Sequence, residues 1–328
     1  MDTRVDPNIN RYCDRPFKQV TFLSDGTAVC ACIDAARTNP LGNLHTQDFD
    51  AIWNGAAYAR LRDATLNDID SVPICRGCPN RIATPPSDQR LTGLPKPRSL
   101  FIESVAACNL ACPGCDRDAI EGNRDNKLVM DWATYQKAVD ALSPNLEYME
   151  YHLGGENFMH REWPRMIRYV REHNPRCFIF TSTNGHYFRT AKEREEFATC
   201  GLNGVVFSID GATPETYAKY RVKGDFNKVI DNMKGCIEAR NRLGRKHPII
   251  VWRYILFKWN DSKEEMDAAR KMAKDLGCDA ISWHLNVSDD GMSSERYKIG
   301  SPALAEIADE LWDNVQYKVP LIVEPQPT

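Results

Sequence analysis

From about residue 99 onward, the sequence repeats one pattern, a short apolar run followed by a longer amphipathic stretch. This alternation is typical of βα units, in which helices join parallel strands, and it predicts an α/β fold. The apolar runs predict six strands, at residues 100–104, 148–152, 178–182, 204–208, 249–256 and 280–285. Six such units would form an open, partial (β/α)6 barrel similar to a TIM barrel.

Helix-end signals lie between these runs. Thr213 precedes Pro214, as a capping residue precedes a proline at the first helical position, and Ser262 with Glu265 has the spacing of a capping box. Gly277 is placed to end the helix that Ser262 begins. Active sites of parallel α/β folds gather at the carboxyl ends of the strands, so we expect the functional residues there.

The first ninety residues follow a different pattern. They predict a strand pair around residues 20–22 and 28–30, joined by a turn at 24–26, and then a helix over 49–62. Prolines 85, 86, 95 and 97 predict a linker or docking strap. We therefore predict a small α+β domain at 1–95 and the barrel at 96–328.

The charge balance is nearly even, with 42 basic and 45 acidic residues, and it predicts neither a nucleic acid nor an anionic membrane as a partner. The first residues lack the apolar core of a signal peptide, and no later stretch approaches about twenty apolar residues. We expect a cytoplasmic protein. In a reducing compartment, twelve cysteines favour metal binding over disulfides.

Three cysteines follow the first predicted barrel strand with the spacing CxxxCxxC: Cys108, Cys112 and Cys115. A [4Fe–4S] cluster takes four ligands, so three thiolates on one loop would leave one iron open to another molecule. The alternative is a zinc loop completed by Asp116 or Asp118.

This loop resembles that of the radical S-adenosylmethionine (SAM) superfamily. Three later motifs match the family in order, namely Gly-Gly-Glu-Asn at 154–157, Thr-Asn-Gly at 183–185 and Ser-Ile-Asp-Gly at 208–211 followed by Arg221. The resemblance implies SAM contacts from Gly154, Gly155, Glu156, Asn157, Ser182, Asn184, Ser208, Asp210 and Arg221. One position departs from the family, which usually has an aromatic residue where this chain has Gly114.

The N-terminal cysteines resemble a SPASM or Twitch auxiliary-cluster domain, which the family normally carries after the barrel. The resemblance implies one auxiliary [4Fe–4S] cluster, with ligands drawn from Cys13, Cys30, Cys32, Cys75 and Cys78. Cys30 and Cys32 lie on the same face of a strand and only one is needed; Cys30 is favoured. A structural zinc site of four cysteines is the alternative.

The resemblance also implies a reaction. An electron from a donor such as flavodoxin or ferredoxin would cleave SAM at the first cluster to a 5′-deoxyadenosyl radical, which abstracts hydrogen from a substrate. A fully ligated auxiliary cluster suits electron transfer, so the leading hypothesis is oxidation of a small polar substrate, sugar-, nucleoside- or aminocyclitol-like. Modification of a ribosomal peptide by epimerisation or cross-linking is an alternative, and outside the class a non-catalytic zinc-binding module.

Oxidation of a hydroxyl also needs a base. The candidates that would face a barrel interior are Glu103, Tyr151, His152, Arg253, Trp283 and His284. Arg253 lies among apolar residues, where an unpaired charge is costly, so we expect it to meet an anion.

Overall fold

A computed structural model describes residues 11–30, 34, 36–78, 80–83, 96–115, 120, 122, 127–286 and 290–312. The strands in this part are β1 Gln19–Phe22, β2 Thr27–Val29, β3 Gly42–Asn43, β4 Ser99–Ile102, β5 Tyr148–Glu150, β6 Phe178–Thr183, β7 Gly204–Ser208, β8 Ile249–Leu256 and β9 Ala280–Leu285. The helices are α1 Arg15–Lys18, α2 Phe49–Trp53, α3 Ala56–Asn67, α4 Trp132–Leu142, α5 Trp163–His173, α6 Ala191–Thr199, α7 Pro214–Tyr220, α8 Phe226–Arg242, α9 Lys263–Leu276 and α10 Pro302–Glu306.

The chain forms two compact units. Unit 1 comprises Met1–Ala107, Asp116–His160 and Val170–Cys177. Unit 2 comprises Cys108–Cys115, Arg161–Tyr169 and Phe178–Thr328. The predicted α/β class is confirmed, since most strand pairs within these units are parallel.

In unit 1 the strand order is β3-β2-β1-β4-β5. The predicted N-terminal strand pair is present: β1 and β2 are antiparallel and are joined through Gly26, whose φ of 77° suits glycine. β1 also pairs in parallel with β4, with Val20 opposite Leu100. The N-terminal hairpin and the first predicted barrel strand therefore belong to one sheet.

The single helix predicted over 49–62 is wrong, because the structure has two helices, α2 and α3. Gly55 breaks the pattern: its backbone is extended, at φ −74° and ψ 165°, and it serves as the N-cap of α3. Glycine in a helix interior costs about 1 kcal/mol relative to alanine, so a continuous helix is least stable at this position. The two helices still pack together, with the rings of Trp53 and Tyr58 4.8 Å apart.

In unit 2, strands β6, β7, β8 and β9 run parallel in chain order. All five residues of β7 are buried, as expected for a strand covered on both faces. The helix caps follow the sequence signals at Thr213 and at Gly277, whose φ is 80°. Ser262 Oγ accepts from the Glu265 N–H, which is one of the two bonds of the predicted capping box. The second bond, from the Ser262 N–H to the Glu265 carboxylate, is not formed, and that carboxylate accepts from the Ala212 N–H instead.

Two predicted strands are shorter than expected, since β4 ends at Ile102 and β5 at Glu150. Within the described residues, no helix combines the length and apolar character needed to cross a membrane.

Candidate active site and cluster-binding cysteines

The three-cysteine loop lies in unit 2 with its thiols accessible to different degrees. Cys108 and Cys112 are half-buried and Cys115 is exposed. Gly114 lies between the last two at φ 72°, where a side chain would strain the backbone. The turn geometry thus accounts for glycine at the position where the family usually has an aromatic residue.

Asn184 connects the loop to the end of β6. Its Nδ2 donates to Asn109 Oδ1 at 2.9 Å and lies 3.6 Å from Cys108 Sγ. The backbone N–H of Leu110 also points at this sulfur, at 3.5 Å. Donors around a thiolate are typical of iron–sulfur ligands, whose sulfurs accept such hydrogen bonds.

Arg221 connects the same loop to the end of β7. Its Nε donates to Asp210 Oδ2 at 2.5 Å, and its Nη1 lies 3.8 Å from Cys112 Sγ. Burial opposes the charge of this guanidinium, but Asp210 holds the pKa of Arg221 above its usual value. Burial raises the pKa of the Cys112 thiol, and Arg221 partly offsets that effect. A permanent cation therefore stands beside one predicted cluster ligand.

The predicted SAM residues Ser182 and Ser208 also meet. Their hydroxyl oxygens are 3.2 Å apart, and Arg253 Nη2 donates to Ser208 Oγ at 2.7 Å. Strands β6, β7 and β8 thus contribute one side chain each to a continuous polar chain inside unit 2.

Arg253 and His284 come from neighbouring strands, with Arg253 opposite Ser282 in the β8–β9 register. Three buried polar atoms occur here with no hydrogen-bond partner among the described residues: Arg253 Nε, Ser282 Oγ and His284 Nε2. Burial lowers the pKa of His284 well below its usual value, and the charge of Arg253 lowers it further. Burial likewise lowers the pKa of Arg253, with the nearby Arg221 adding to the effect.

The Gly-Gly-Glu-Asn motif lies in unit 1 directly against the backbone that follows β4. A Cβ at Gly155 would lie 2.1 Å from the Val105 carbonyl oxygen, so glycine is required there. The Glu156 N–H donates to Ala107 O at 2.9 Å. Glu156 and Asn157 are both buried. The motif therefore holds the strand end that leads into the cysteine loop.

Of the other four catalytic candidates, Trp283 lies in unit 2, where it is fully buried and its Nε1 donates to Glu310 Oε2 at 2.8 Å, and the remaining three lie in unit 1. Glu103 is fully buried and accepts from the Ser24 N–H at 3.1 Å, a bond that holds the β1–β2 turn. Tyr151 is fully buried. His152 Nε2 lies 3.7 Å from Glu150 Oε2. Arg253 and His284 thus lie on neighbouring strands of unit 2 with buried polar atoms that lack a partner among the described residues, while Glu103 already has a structural partner.

Four N-terminal cysteines line one pocket in unit 1. Cys13, Cys30, Cys75 and Cys78 line it together with Arg15 and Arg81. Burial raises the pKa of Cys13 and of Cys75 to about 11 each. Cys32 lies outside the described residues. Four thiols around one pocket match the ligand number of a fully ligated [4Fe–4S] cluster, and Cys30, which follows β2, is one of the four.

No three His, Cys, Asp or Glu side chains within the described ranges stand around a single-ion position. Sequence reasoning missed Asn109, Ser282 and Arg81, each of which takes part in these sites. The place of Asn109 directly after Cys108 could have indicated it, whereas the other two carry no local signal.

Comparison with known proteins shows which family the chain belongs to. The sequence model of the radical SAM superfamily matches residues 102–283, and that of the SPASM iron–sulfur cluster-binding domain matches residues 13–79. The chain is 27% identical to the GTP 3′,8-cyclase of Syntrophomonas wolfei over 167 residues, 50% of this chain and 49% of that protein. It is 28% identical to a probable GTP 3′,8-cyclase of Methanocaldococcus jannaschii over 143 residues, 43% of this chain and 46% of that protein. The matches thus span about half the length of these relatives.

Among solved structures, Streptococcus suis SuiB bound to precursor peptide SuiA aligns with 91% of this chain and 69% of its own. The TM-score is 0.51 at 12% sequence identity, so the likeness concerns the fold.

The strands and helices of both units are of the α/β class, and the chain belongs to the radical SAM superfamily, whose sequence model matches more than half of it. It carries its SPASM domain at the N-terminal side, as the sequence predicted. The enzyme accordingly uses SAM, a SAM-binding [4Fe–4S] cluster and an auxiliary cluster.

Proposed function

We propose that this enzyme oxidises a hydroxyl group of a small polar substrate, sugar-, nucleoside- or aminocyclitol-like, to a carbonyl. The observation that carries the proposal is a group of buried polar atoms on the neighbouring strands β8 and β9. Arg253 Nε and His284 Nε2 have no hydrogen-bond partner among the described residues. Buried polar atoms of this kind cost free energy unless a ligand satisfies them. An anionic or strongly polar group beside Arg253 and a hydroxyl beside His284 would do so.

Oxidation of an alcohol to a carbonyl removes one hydrogen atom, one proton and one electron. When bound, SAM and the two clusters supply the hydrogen-atom acceptor, a 5′-deoxyadenosyl radical, and the electron acceptor. The protein must supply the base. His284 is suited to that role because its lowered pKa keeps the imidazole neutral near pH 7. An anion paired with Arg253 would weaken the charge that lowers this pKa, so substrate binding itself would strengthen the base.

The remaining site residues keep their proposed roles. Cys108, Cys112 and Cys115 hold the SAM-binding cluster, and Cys13, Cys30, Cys75 and Cys78 hold the auxiliary one. Ser182, Asn184, Ser208, Asp210 and Arg221 in unit 2 bind and orient SAM. For Gly154, Gly155, Glu156 and Asn157 the SAM contact implied by the family resemblance stays a prediction. We also retain the domain boundary near residue 95 and an electron donor such as flavodoxin or ferredoxin. The related GTP 3′,8-cyclases are named for a nucleotide substrate, which supports the polar substrate class.

The test uses the reconstituted enzyme with SAM, a reductant and a panel of aminocyclitols, sugars and nucleosides deuterated at their carbinol carbons. We expect deuterium to enter 5′-deoxyadenosine and one carbonyl product, trapped as a hydrazone, to form for each 5′-deoxyadenosine. Deuterium transfer that yields an epimer or a cyclised product of unchanged oxidation state would contradict oxidation. Turnover of a peptide, with none on the panel, would contradict the substrate class.

His284→Gln should lower carbonyl formation about 100-fold or more, the usual contribution of a general base. SAM cleavage without substrate should persist, because this side chain is not among those placed around SAM. His173→Gln is the matched control, since His173 is exposed at the end of α5. Equal product rates in the two variants would exclude His284 as the base.

A further inference from the structure

Two charged side chains, Arg15 and Arg81, line the four-cysteine pocket. The Arg81 side chain is almost completely buried, with 1% of its surface exposed. Two of its nitrogen atoms are committed to the protein. Nε donates to the Cys75 carbonyl at 2.8 Å, and Nη2 donates to the Asp70 carboxylate. The third, Nη1, is buried and has no hydrogen-bond partner in the described part of the chain.

A guanidinium nitrogen without a hydrogen-bond partner in a buried position costs free energy. Arg81 also lies directly beside the proposed ligand Cys75, since it donates to the carbonyl of that residue. We propose that Nη1 donates a charge-assisted hydrogen bond to a sulfur of the auxiliary cluster, and that Arg81 thereby raises the reduction potential of that cluster. Reduction adds negative charge to the cluster, so a buried cation with a hydrogen bond to sulfur favours the reduced form.

The neighbouring residues set the size and sign of this effect. Asp70 offsets part of the Arg81 charge, but it is 58% exposed and therefore well screened by water. Arg15 also lines the pocket, yet its guanidinium donates to Gln19 and to Asn80. Arg76 lies between Cys75 and Cys78 in the sequence but is exposed, and its Nε donates to the Asp70 backbone. Arg81 is thus the cation best placed to act on the cluster.

The proposal depends on the proposed ligand set of Cys13, Cys30, Cys75 and Cys78, so the test reports on the two separately. The background is the full chain with Cys108→Ala, Cys112→Ala and Cys115→Ala, reconstituted with iron and sulfide so that only the auxiliary cluster forms. Iron per chain tests the ligand set, with about four expected. The midpoint potential, from a redox titration followed by electron paramagnetic resonance, tests Arg81.

Arg81→Met should shift the potential downward by at least a tenfold change in the reduction equilibrium, which is about 59 mV for one electron. Arg76→Met, the matched control, removes the same charge from an exposed site and should leave the potential unchanged. Asp70→Asn should shift it upward, because Arg81 then loses its counter-charge. Equal potentials in Arg81→Met and Arg76→Met, both with full iron, would overturn the proposal. If Arg81→Met fails to hold iron, Asp70→Asn decides, and an unchanged or lower potential there would overturn it.

Discussion

Asn184 donates to Asn109 at 2.9 Å and so joins the end of β6 to the residue that follows the first cysteine of the loop. The same Nδ2 lies 3.6 Å from Cys108 Sγ. β6 is a buried strand of unit 2, whereas the cysteine loop has no regular secondary structure. The Asn184–Asn109 hydrogen bond therefore anchors the loop to the sheet.

The Asn184–Asn109 contact should appear as a coupling energy. Asn109→Ala and Asn184→Ala each remove it, so the loss in free energy of unfolding for the double variant should be smaller than the sum of the single losses by about 1 kcal/mol. Urea denaturation of the cluster-free protein measures all three. Strict additivity would show that the two side chains do not interact.

Asp210→Ala should be among the most damaging changes in unit 2. It leaves the buried Arg221 guanidinium without its carboxylate partner, which typically costs about 3–5 kcal/mol. The matched control is Glu195→Ala, which breaks the exposed pair with Arg242 and should cost no more than about 1 kcal/mol. Similar losses in both variants, measured by urea denaturation, would argue against a buried ion pair.

Gly155→Ala tests the close approach of the Gly-Gly-Glu-Asn motif to the end of β4. The added methyl group would lie 2.1 Å from the Val105 carbonyl oxygen, and relief requires a backbone shift that costs about 1–3 kcal/mol. Gly122→Ala is the control, because a Cβ there meets no described atom within 4 Å. Equal stability of the two variants would contradict the packing, and iron retention should fall only in the first.

Stability should depend on pH through two histidines. Burial lowers the pKa of both His284 and His186. Below the ordinary histidine pKa, the unfolded chain therefore binds more protons at these two residues than the folded chain does. Their contribution is present above the ordinary histidine pKa of about 6.5 and is lost as pH falls below it. His284→Gln and His186→Gln should each flatten the decline in the free energy of unfolding between about pH 6.5 and 5. An unchanged slope in both variants would contradict the neutral, buried state.

The sequence predicted the strands of unit 2 well because their apolar runs are long and buried on both faces: β7, β8 and β9 have the expected bounds. The ends of β4 and β5 could not be predicted, because partner strands, not local propensity, decide where pairing stops. The break at Gly55 was visible as a glycine, but its extended backbone depends on how α3 packs.

The site residues also divide into those that the sequence predicts and those that only the fold determines. Motif order placed Asn184 and Asp210 at strand ends and Arg221 in the segment that follows β7. The structure places all three around the cysteine loop, with Arg221 at the end of α7. Arg76 and Arg81 look alike in the sequence, and Arg76 even lies inside the cysteine pair. Only the fold makes one exposed and the other buried beside the thiols, since burial depends on contacts distant in the chain.

Iron content and SAM cleavage together test the central claim most directly. The protein reconstituted anaerobically with iron and sulfide should hold about eight irons per chain and, after reduction with dithionite, convert SAM to 5′-deoxyadenosine. The variant with Cys108→Ala, Cys112→Ala and Cys115→Ala should retain about four irons and form no 5′-deoxyadenosine. About two zinc ions per chain in place of iron, or 5′-deoxyadenosine formation that survives loss of these three cysteines, would contradict the account.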